Sequence, residues 1–158
     1  MEIKDKEMHR IAVTAIIYKP NRTYLITKRG EKKVFPGKWM APGGGLSTDD
    51  YIHGKPSLGG QWYHSLEKAL RREIQEEVGI DIGKPEYLMD LTFVRPDRVP
   101  VLVLSYFAPY VSGKVHIGKD EDVVDFAWVS AKEASTYDLL EGMLHEVEEV
   151  DRILSSRK

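Results

Sequence analysis

The chain has 158 residues, long enough for one domain with a full core and short for two. Its net charge of −2 lacks the basic balance that non-specific nucleic-acid binding favours. With no cysteine there is no disulfide, zinc–thiolate site or thiol nucleophile, a composition compatible with a reducing cytoplasm.

Residues 1–10 are charged and lack the apolar core of a signal peptide. The longest apolar runs, such as residues 99–108, fall well short of the ~20 residues a membrane helix needs. The expectation is a single domain over residues 1–158, cytoplasmic, with no stable nucleic-acid or membrane partner. Residues 11–18 are rich in β-branched side chains and stop at Pro20-Asn21, so they read as a strand, with residues 23–28 as its hairpin partner. Residues 30–38 form a lysine-containing loop, followed by a short strand around 39–41. Next comes Pro42-Gly43-Gly44-Gly45, whose backbone reaches conformations closed to other residues.

Residues 46–63 have the composition of a loop. Such long unstructured stretches are uncommon in compact domains and often functional. The alternative is a tolerated surface insertion; Tyr51, Trp62 and Tyr63 favour a loop that packs or binds. The spacing then predicts a helix over 65–78, with Ser65 as N-cap and Glu67 in the first turn. Leu66, Leu70, Ile74 and Val78 recur every fourth residue as its core stripe, and Gly79 is placed to stop it in a left-handed cap. Strands are expected at 87–94, 101–110, 114–117 and 125–129, a helical turn at 131–135 and a closing helix at 139–154. Strands interrupted by one helix and followed by another favour a mixed-sheet α+β or α/β sandwich.

On the central helix Glu73, Glu76 and Glu77 project from one side about a turn apart, and Arg72 is an i, i+4 partner of Glu76. At ~5 Å and an effective dielectric near 20, each like-charge pair costs about 3 kcal/mol. A divalent cation resolves that conflict, and hard oxygen ligands suit Mg²⁺, which completes its shell with water and phosphate oxygens. The alternative is a solvated charged face. Clustered acids, the glycine-rich turn upstream and the glycine stop directly after the acidic pair favour the metal reading.

Arg72-Glu73-Ile74-Gln75-Glu76-Glu77-Val78-Gly79-Ile80 resembles the second half of the Nudix box: Arg-Glu, an aliphatic, any residue, Glu-Glu, any residue, Gly, an aliphatic. Residues 39–44 are similar to the stretch ending in Pro-Gly-Gly that leads into that box, and residues 122–129 to a late acidic–aliphatic–Trp segment. Two departures stand out. An insertion splits the box between Gly44 and Ser65, and His64 occupies the position of a glutamate that usually supports the loop or the metal site. Imidazole is a poor partner for Mg²⁺, so His64 reads as structural.

The resemblance implies an α/β fold, a Nudix-type α-β-α sandwich with a mixed central sheet. It also implies Mg²⁺-dependent hydrolysis of a diphosphate linkage in a nucleoside di- or triphosphate-type substrate, with Mn²⁺ as an alternative ion. Glu73, Glu76 and Glu77, with the backbone at Gly44, would hold the metal, and Arg72 would orient the glutamates. Glu121 and Asp122 are the candidates for a general base, Asp122 being better aligned; an exposed acid cluster is the equal alternative. The backbone of Gly43 and Gly44 would approach the phosphates, and Arg29 and Lys28 would contact them, unless these two are simply exposed basic residues. Tyr51, Trp62, Tyr63, Phe93 and Phe107 are candidates to stack on a base, while Trp39 and Trp128 are assigned to packing. A small-molecule nucleotide is the implied partner, and a homodimer is allowed. Alternatives are an ADP-ribose or nucleotide-sugar pyrophosphatase, or a catalytically silent nucleotide-binding sensor, against which the complete Glu73-Glu76-Glu77 set weighs.

Overall fold

The computed structural model describes residues 5–118 and 122–157. In chain order its elements are β1 (Arg10–Tyr18), β2 (Tyr24–Arg29), β3 (Trp39–Met40), β4 (Gly43–Gly45), α1 (Ser65–Val78), β5 (Asp81–Ile82), β6 (Glu86–Val94), β7 (Pro100–Ser112), β8 (Val123–Val129), α2 (Ala131–Ala134) and α3 (Met143–Ser156). The sheet runs β3-β2-β1-β7-β5, with β8 also against β2, β6 against β7 and β4 against β1. β1 and β7 are parallel from Arg10↔Val101 to Tyr18↔Pro109, and the other pairs are antiparallel. The sheet is therefore mixed, as expected. Among the described residues no helix is long and apolar enough to cross a membrane.

Period-two alternation along β1 divides the interior into two cores. Val13, Ala15 and Ile17 face α1, where Ala69, Leu70, Ile74 and Val78 are buried against them. Ile16, with Tyr24 and Ile26 of β2, faces α3 and packs on Met143, Val147 and Val150. Burying each large aliphatic side chain contributes about 1.5–3 kcal/mol, which fixes the rotation of α1 and so the direction of its glutamates. Leu66 is only half-buried at the edge of that stripe.

Three local expectations change. Ser65 is the first helical residue; His64 precedes it with φ 62° and makes no side-chain capping bond among the described residues. Residues 114–117 are not a strand. They cross the end of α1, where the His116 amide donates to the Val78 carbonyl (3.1 Å) and its ring lies against Gly79. The strand partner at that end of β7 is instead Asp81–Ile82. The closing helix starts at Met143, because residues 138–140 bond to β3: the Trp39 amide donates to the Asp138 carbonyl (2.9 Å) and the Leu140 amide to the Trp39 carbonyl (2.8 Å). Gly79 does stop α1 in a left-handed conformation (φ 68°), its amide shared by the Ile74 and Gln75 carbonyls.

Candidate active site

The glycine run forms β4, paired with β1 through Val13↔Gly44 and Thr14↔Gly43. Gly43 has φ +154°, and a Cβ there would sit 2.1 Å from the Val13 carbonyl oxygen. A Cβ on Gly44 would sit 2.3–2.5 Å from the three carboxyl atoms of Glu73. Only a bare backbone lets α1 bring its glutamates this close to the strand.

The Gly43 amide donates to Glu77 Oε2 at 3.1 Å. Burial, reinforced by the nearby Glu73 carboxylate, pushes the Glu77 carboxyl up to about 8, while the Gly43 amide, Lys33 and Arg29 pull the other way. Arg72 organises the other two glutamates. Its Nη1 donates to Glu73 Oε1 (2.8 Å) and to Glu76 Oε2 (3.1 Å), and its Nη2 donates to the Gly45 carbonyl (3.1 Å). One oxygen of each glutamate is thus engaged by the protein. Glu76 is the most exposed of the three.

The remaining side of the Arg72 guanidinium is closed by Asp50, which takes hydrogen bonds from both Nε and Nη2 (the latter 3.1 Å). Asp50 lies on a 3₁₀ turn, Thr48–Asp50, inside the inserted segment. A reciprocal cap sets that turn: the Ser47 hydroxyl accepts from the turn's amides, and the Asp50 carboxylate accepts from the Ser47 amide (2.8 Å). Its side chain is only 2 % exposed. Arg72 holds the Asp50 carboxyl below its ordinary value against the opposing effect of burial, and Asp50 raises Arg72 in return. A carboxylate contributed by the insertion therefore supports the box arginine, while His64 is exposed and caps nothing.

Glu77, Gly43 and Gly44 open into a cavity of about 320 Å³ on the α3 side of the sheet. Arg10, Arg29, Lys33 and Arg95 also line it. Arg29 is partly committed, its Nε donating to the Val34 carbonyl (2.6 Å) and its Nη1 to Met40 Sδ (2.8 Å), and burial lowers its pKa. Lys28, one residue back on β2, is not among the cavity residues. Asp122 pairs with Lys33 (3.2 Å) and accepts from the Gly30 amide through its carbonyl (3.0 Å), beside the cavity's basic loop. Glu121 lies outside the described residues.

Of the stacking candidates, only Phe93 lines the cavity, opposite Phe35 at 6.0 Å between centroids. Tyr51 and Trp62 pack on each other within the insertion (5.5 Å), and Trp62 Nε1 donates to the Gly54 carbonyl. Phe107 is buried in the core beneath α3, and Tyr63 is exposed. Trp39 packs edge-on against Tyr137 and Trp128 against Tyr110, as packing residues do. Asp50, Phe35 and the cavity residue Glu146 were not singled out from sequence. Ser47 to Asp50 does carry a local capping signature, but nothing local signals the Asp50–Arg72 pair across the insertion.

Residues 8–150 match the family model for the NUDIX domain. The chain belongs to the Nudix family. It is 27% identical over 143 residues to a nucleoside triphosphatase, NudI, of Enterobacter sp. (strain 638), covering 85% of this chain and 92% of the relative. It is 30% identical over 125 residues to NudI of Salmonella paratyphi B, covering 73% and 79%. The NUDIX domain of Shewanella oneidensis NrtR, solved in complex with ADP ribose, shares the fold: TM-score 0.73, 19% identity, 98% of this chain and 94% of that one. The chain is a Nudix hydrolase.

Nudix hydrolases generally use divalent metal ions, and the donor set here fits one. Glu73, Glu76 and Glu77 offer hard carboxylate oxygens, and a half-buried Glu77 beside Glu73 is a place where a cation would restore the charged form. The three are not drawn together in advance: among the described residues no group of three acidic or imidazole side chains forms a ready-made metal cage. Arg72 takes that compensating position for Glu73 and Glu76.

Proposed function

We propose that this Nudix hydrolase cleaves a diphosphate linkage in a nucleoside di- or triphosphate, using Mg²⁺, or Mn²⁺ in its place, held by Glu73, Glu76, Glu77 and the backbone at Gly44. The observation that carries the reading is the meeting of Glu77 with the Gly43–Gly44 backbone at the mouth of a cavity lined by Arg10, Arg29, Lys33 and Arg95. The similarity to nucleoside triphosphatases supports the substrate class.

Arg72 keeps Glu73 and Glu76 in a fixed orientation, and Asp50 keeps Arg72 in place. The Gly43 amide holds one Glu77 oxygen, leaving Oε1 for the ion. The cations along the cavity bind phosphate oxygens and spread the charge that develops as the linkage breaks. When bound, a divalent ion neutralises phosphate charge and lowers the pKa of a bound water. Water attacks one phosphorus, the bond to the bridging oxygen breaks, and the second phosphate group leaves with that oxygen. Asp122, beside Lys33, accepts the proton from the water.

The test is a panel of nucleoside triphosphates, nucleoside diphosphates, nucleotide sugars, ADP-ribose and dinucleoside polyphosphates, incubated with Mg²⁺ and resolved by product. Nucleoside di- or triphosphates are expected to turn over best, with turnover abolished by EDTA and restored by Mg²⁺. Preference for ADP-ribose or a nucleotide sugar would replace the substrate class; no hydrolysis across the panel would overturn the reading.

A further inference from the structure

A second cleft opens on the α1 side of the sheet, the face opposite the substrate cavity. Its volume is about 590 Å³, within the range of small-molecule sites. Tyr110 of β7 and Phe126 and Trp128 of β8 wall it, and all three pack at the rim of the core under α1. The walls are set before any ligand arrives. Tyr110 meets Trp128 edge-on, with 5.7 Å between centroids and 77° between planes. The Tyr110 hydroxyl donates to the Gly113 carbonyl at 2.6 Å. Gly113 in turn lies against the end of α1, where a Cβ would sit 3.0 Å from the Gly79 carbonyl oxygen. Val115, on the same segment, completes the apolar lining.

The charge at this cleft is an independent observation. Lys19 sits in the turn between β1 and β2, its amide donating to the Thr23 carbonyl (3.0 Å) and its carbonyl accepting from the Arg22 amide (2.9 Å). The half-buried side chain crosses the aromatic corner, and its ammonium stands 4.1 Å from the Trp128 ring centroid and 5.3 Å from that of Tyr110. Aromatic faces hold a cation in place without neutralising its charge. Lys114 lines the same cleft. Neither lysine pairs with a carboxylate among the described residues, and no described acidic side chain lines the cleft. In a chain of net charge −2, two uncompensated ammonium groups beside three aromatic rings are a local arrangement that an anion completes.

We propose that this cleft is a binding site for a small aromatic anion, a flat ring carrying a phosphate or carboxylate group. The ring lies in the corner of Tyr110, Phe126 and Trp128, where its apolar surface leaves water. The anionic group meets the Lys19 and Lys114 ammonium groups in charge-assisted hydrogen bonds. An uncharged ring forgoes the lysines, and an inorganic anion forgoes the walls. Nucleotides and simple aromatic phosphates share this chemistry. The site is separate from that of hydrolysis, because none of its lining residues lines the substrate cavity.

The test is a nuclear magnetic resonance titration of the isotope-labelled full chain, read at the Trp128 indole N–H and the Tyr110 and Lys114 amides. Trp128→Phe assigns the indole resonance. The probes are phenyl phosphate, inorganic phosphate, benzyl alcohol and AMP. Phenyl phosphate is expected to saturate the shifts at Trp128, with inorganic phosphate and benzyl alcohol weaker by about tenfold or more. Lys19→Gln and Lys114→Gln are each expected to weaken phenyl phosphate about fivefold, the loss of one partly exposed charge contact, with thermal melts showing that both fold. Lys19→Arg, which keeps the charge, is expected to retain most of the affinity. AMP separates the two sources, and either result supports the site: shifts at Trp128 as strong as those of phenyl phosphate assign it to nucleotides, and none there assigns it to smaller aromatic anions. Absence of any shift at Trp128 with phenyl phosphate would overturn the proposal. So would unchanged affinity in both lysine-to-glutamine variants, or equal binding of inorganic phosphate or benzyl alcohol.

Discussion

Replacing Asp50 with alanine removes a carboxylate that is 2 % exposed and takes two hydrogen bonds from Arg72. Removing one partner of a fully buried ion pair costs about 3–5 kcal/mol. Here the guanidinium is 33 % exposed and keeps Glu73, Glu76 and the Gly45 carbonyl, so water and the remaining partners offset part of the loss. A cost of about 2 kcal/mol follows, between the surface and buried limits. For a domain of this size that lowers the melting temperature by roughly 4–8 °C. The neighbouring Asp49→Ala is the control, because Asp49 is 81 % exposed and pairs with an equally exposed His53. Its melt should stay within about 1 °C of wild type. Circular dichroism melts of the three proteins, followed by Mg²⁺-dependent turnover, check the reasoning. Asp50→Ala is expected to lose turnover as well as stability, since Arg72 then orients Glu73 and Glu76 less firmly. An Asp50→Ala protein that melts and turns over like Asp49→Ala would refute it.

Further predictions follow from the same site. Gly44→Ala places a methyl group into the Glu73 carboxylate, so kcat should fall by about 100-fold with a smaller change in melting temperature, as misplacing a reacting group by about 1 Å does; unchanged kcat would contradict the close approach. The Asp50 carboxyl is held below its unfolded value, so its contribution is fully present above the unfolded pKa of about 4 and is lost as pH falls through the folded value. The melting difference between wild type and Asp50→Asn should therefore be constant between pH 6 and 7 and shrink below pH 4. Arg72→Lys keeps the charge and loses the fork that reaches Asp50, Glu73 and Glu76 together, and it should lower kcat more than it raises KM in steady-state kinetics.

The elements that position the site are legible in the chain because they are periodic. Leu70, Ile74 and Val78 mark the buried stripe of α1, and once that stripe is seated the side of the helix that carries Glu73, Glu76 and Glu77 follows. Gly43 and Gly44 announce an unusual backbone, although only the paired strand β1 explains why a side chain is excluded there. Pairings that span loops leave no periodic trace. Asp50 reaches Arg72 across the insertion, and Phe35 meets Phe93 from the lysine loop. Glu146 is hidden differently: within an amphipathic helix it reads as one more surface acid, and only the packed structure turns it inward. The segment at 114–117 has strand composition, yet Gly113 (φ 100°) and the His116 contact over Gly79 carry it across α1 instead.

Glu77 is the carboxylate that meets the glycine backbone and also lines the cavity. Glu77→Gln is nearly isosteric and keeps an oxygen to accept from the Gly43 amide, so the fold should survive. The decisive measurement is its turnover of the best nucleoside di- or triphosphate substrate at saturating Mg²⁺, with products resolved by ion-exchange chromatography and folding checked by circular dichroism. The expected result is a folded protein with no measurable diphosphate cleavage. A folded Glu77→Gln protein that releases the same products at the wild-type rate would contradict the assignment of this carboxylate to the metal and the reaction.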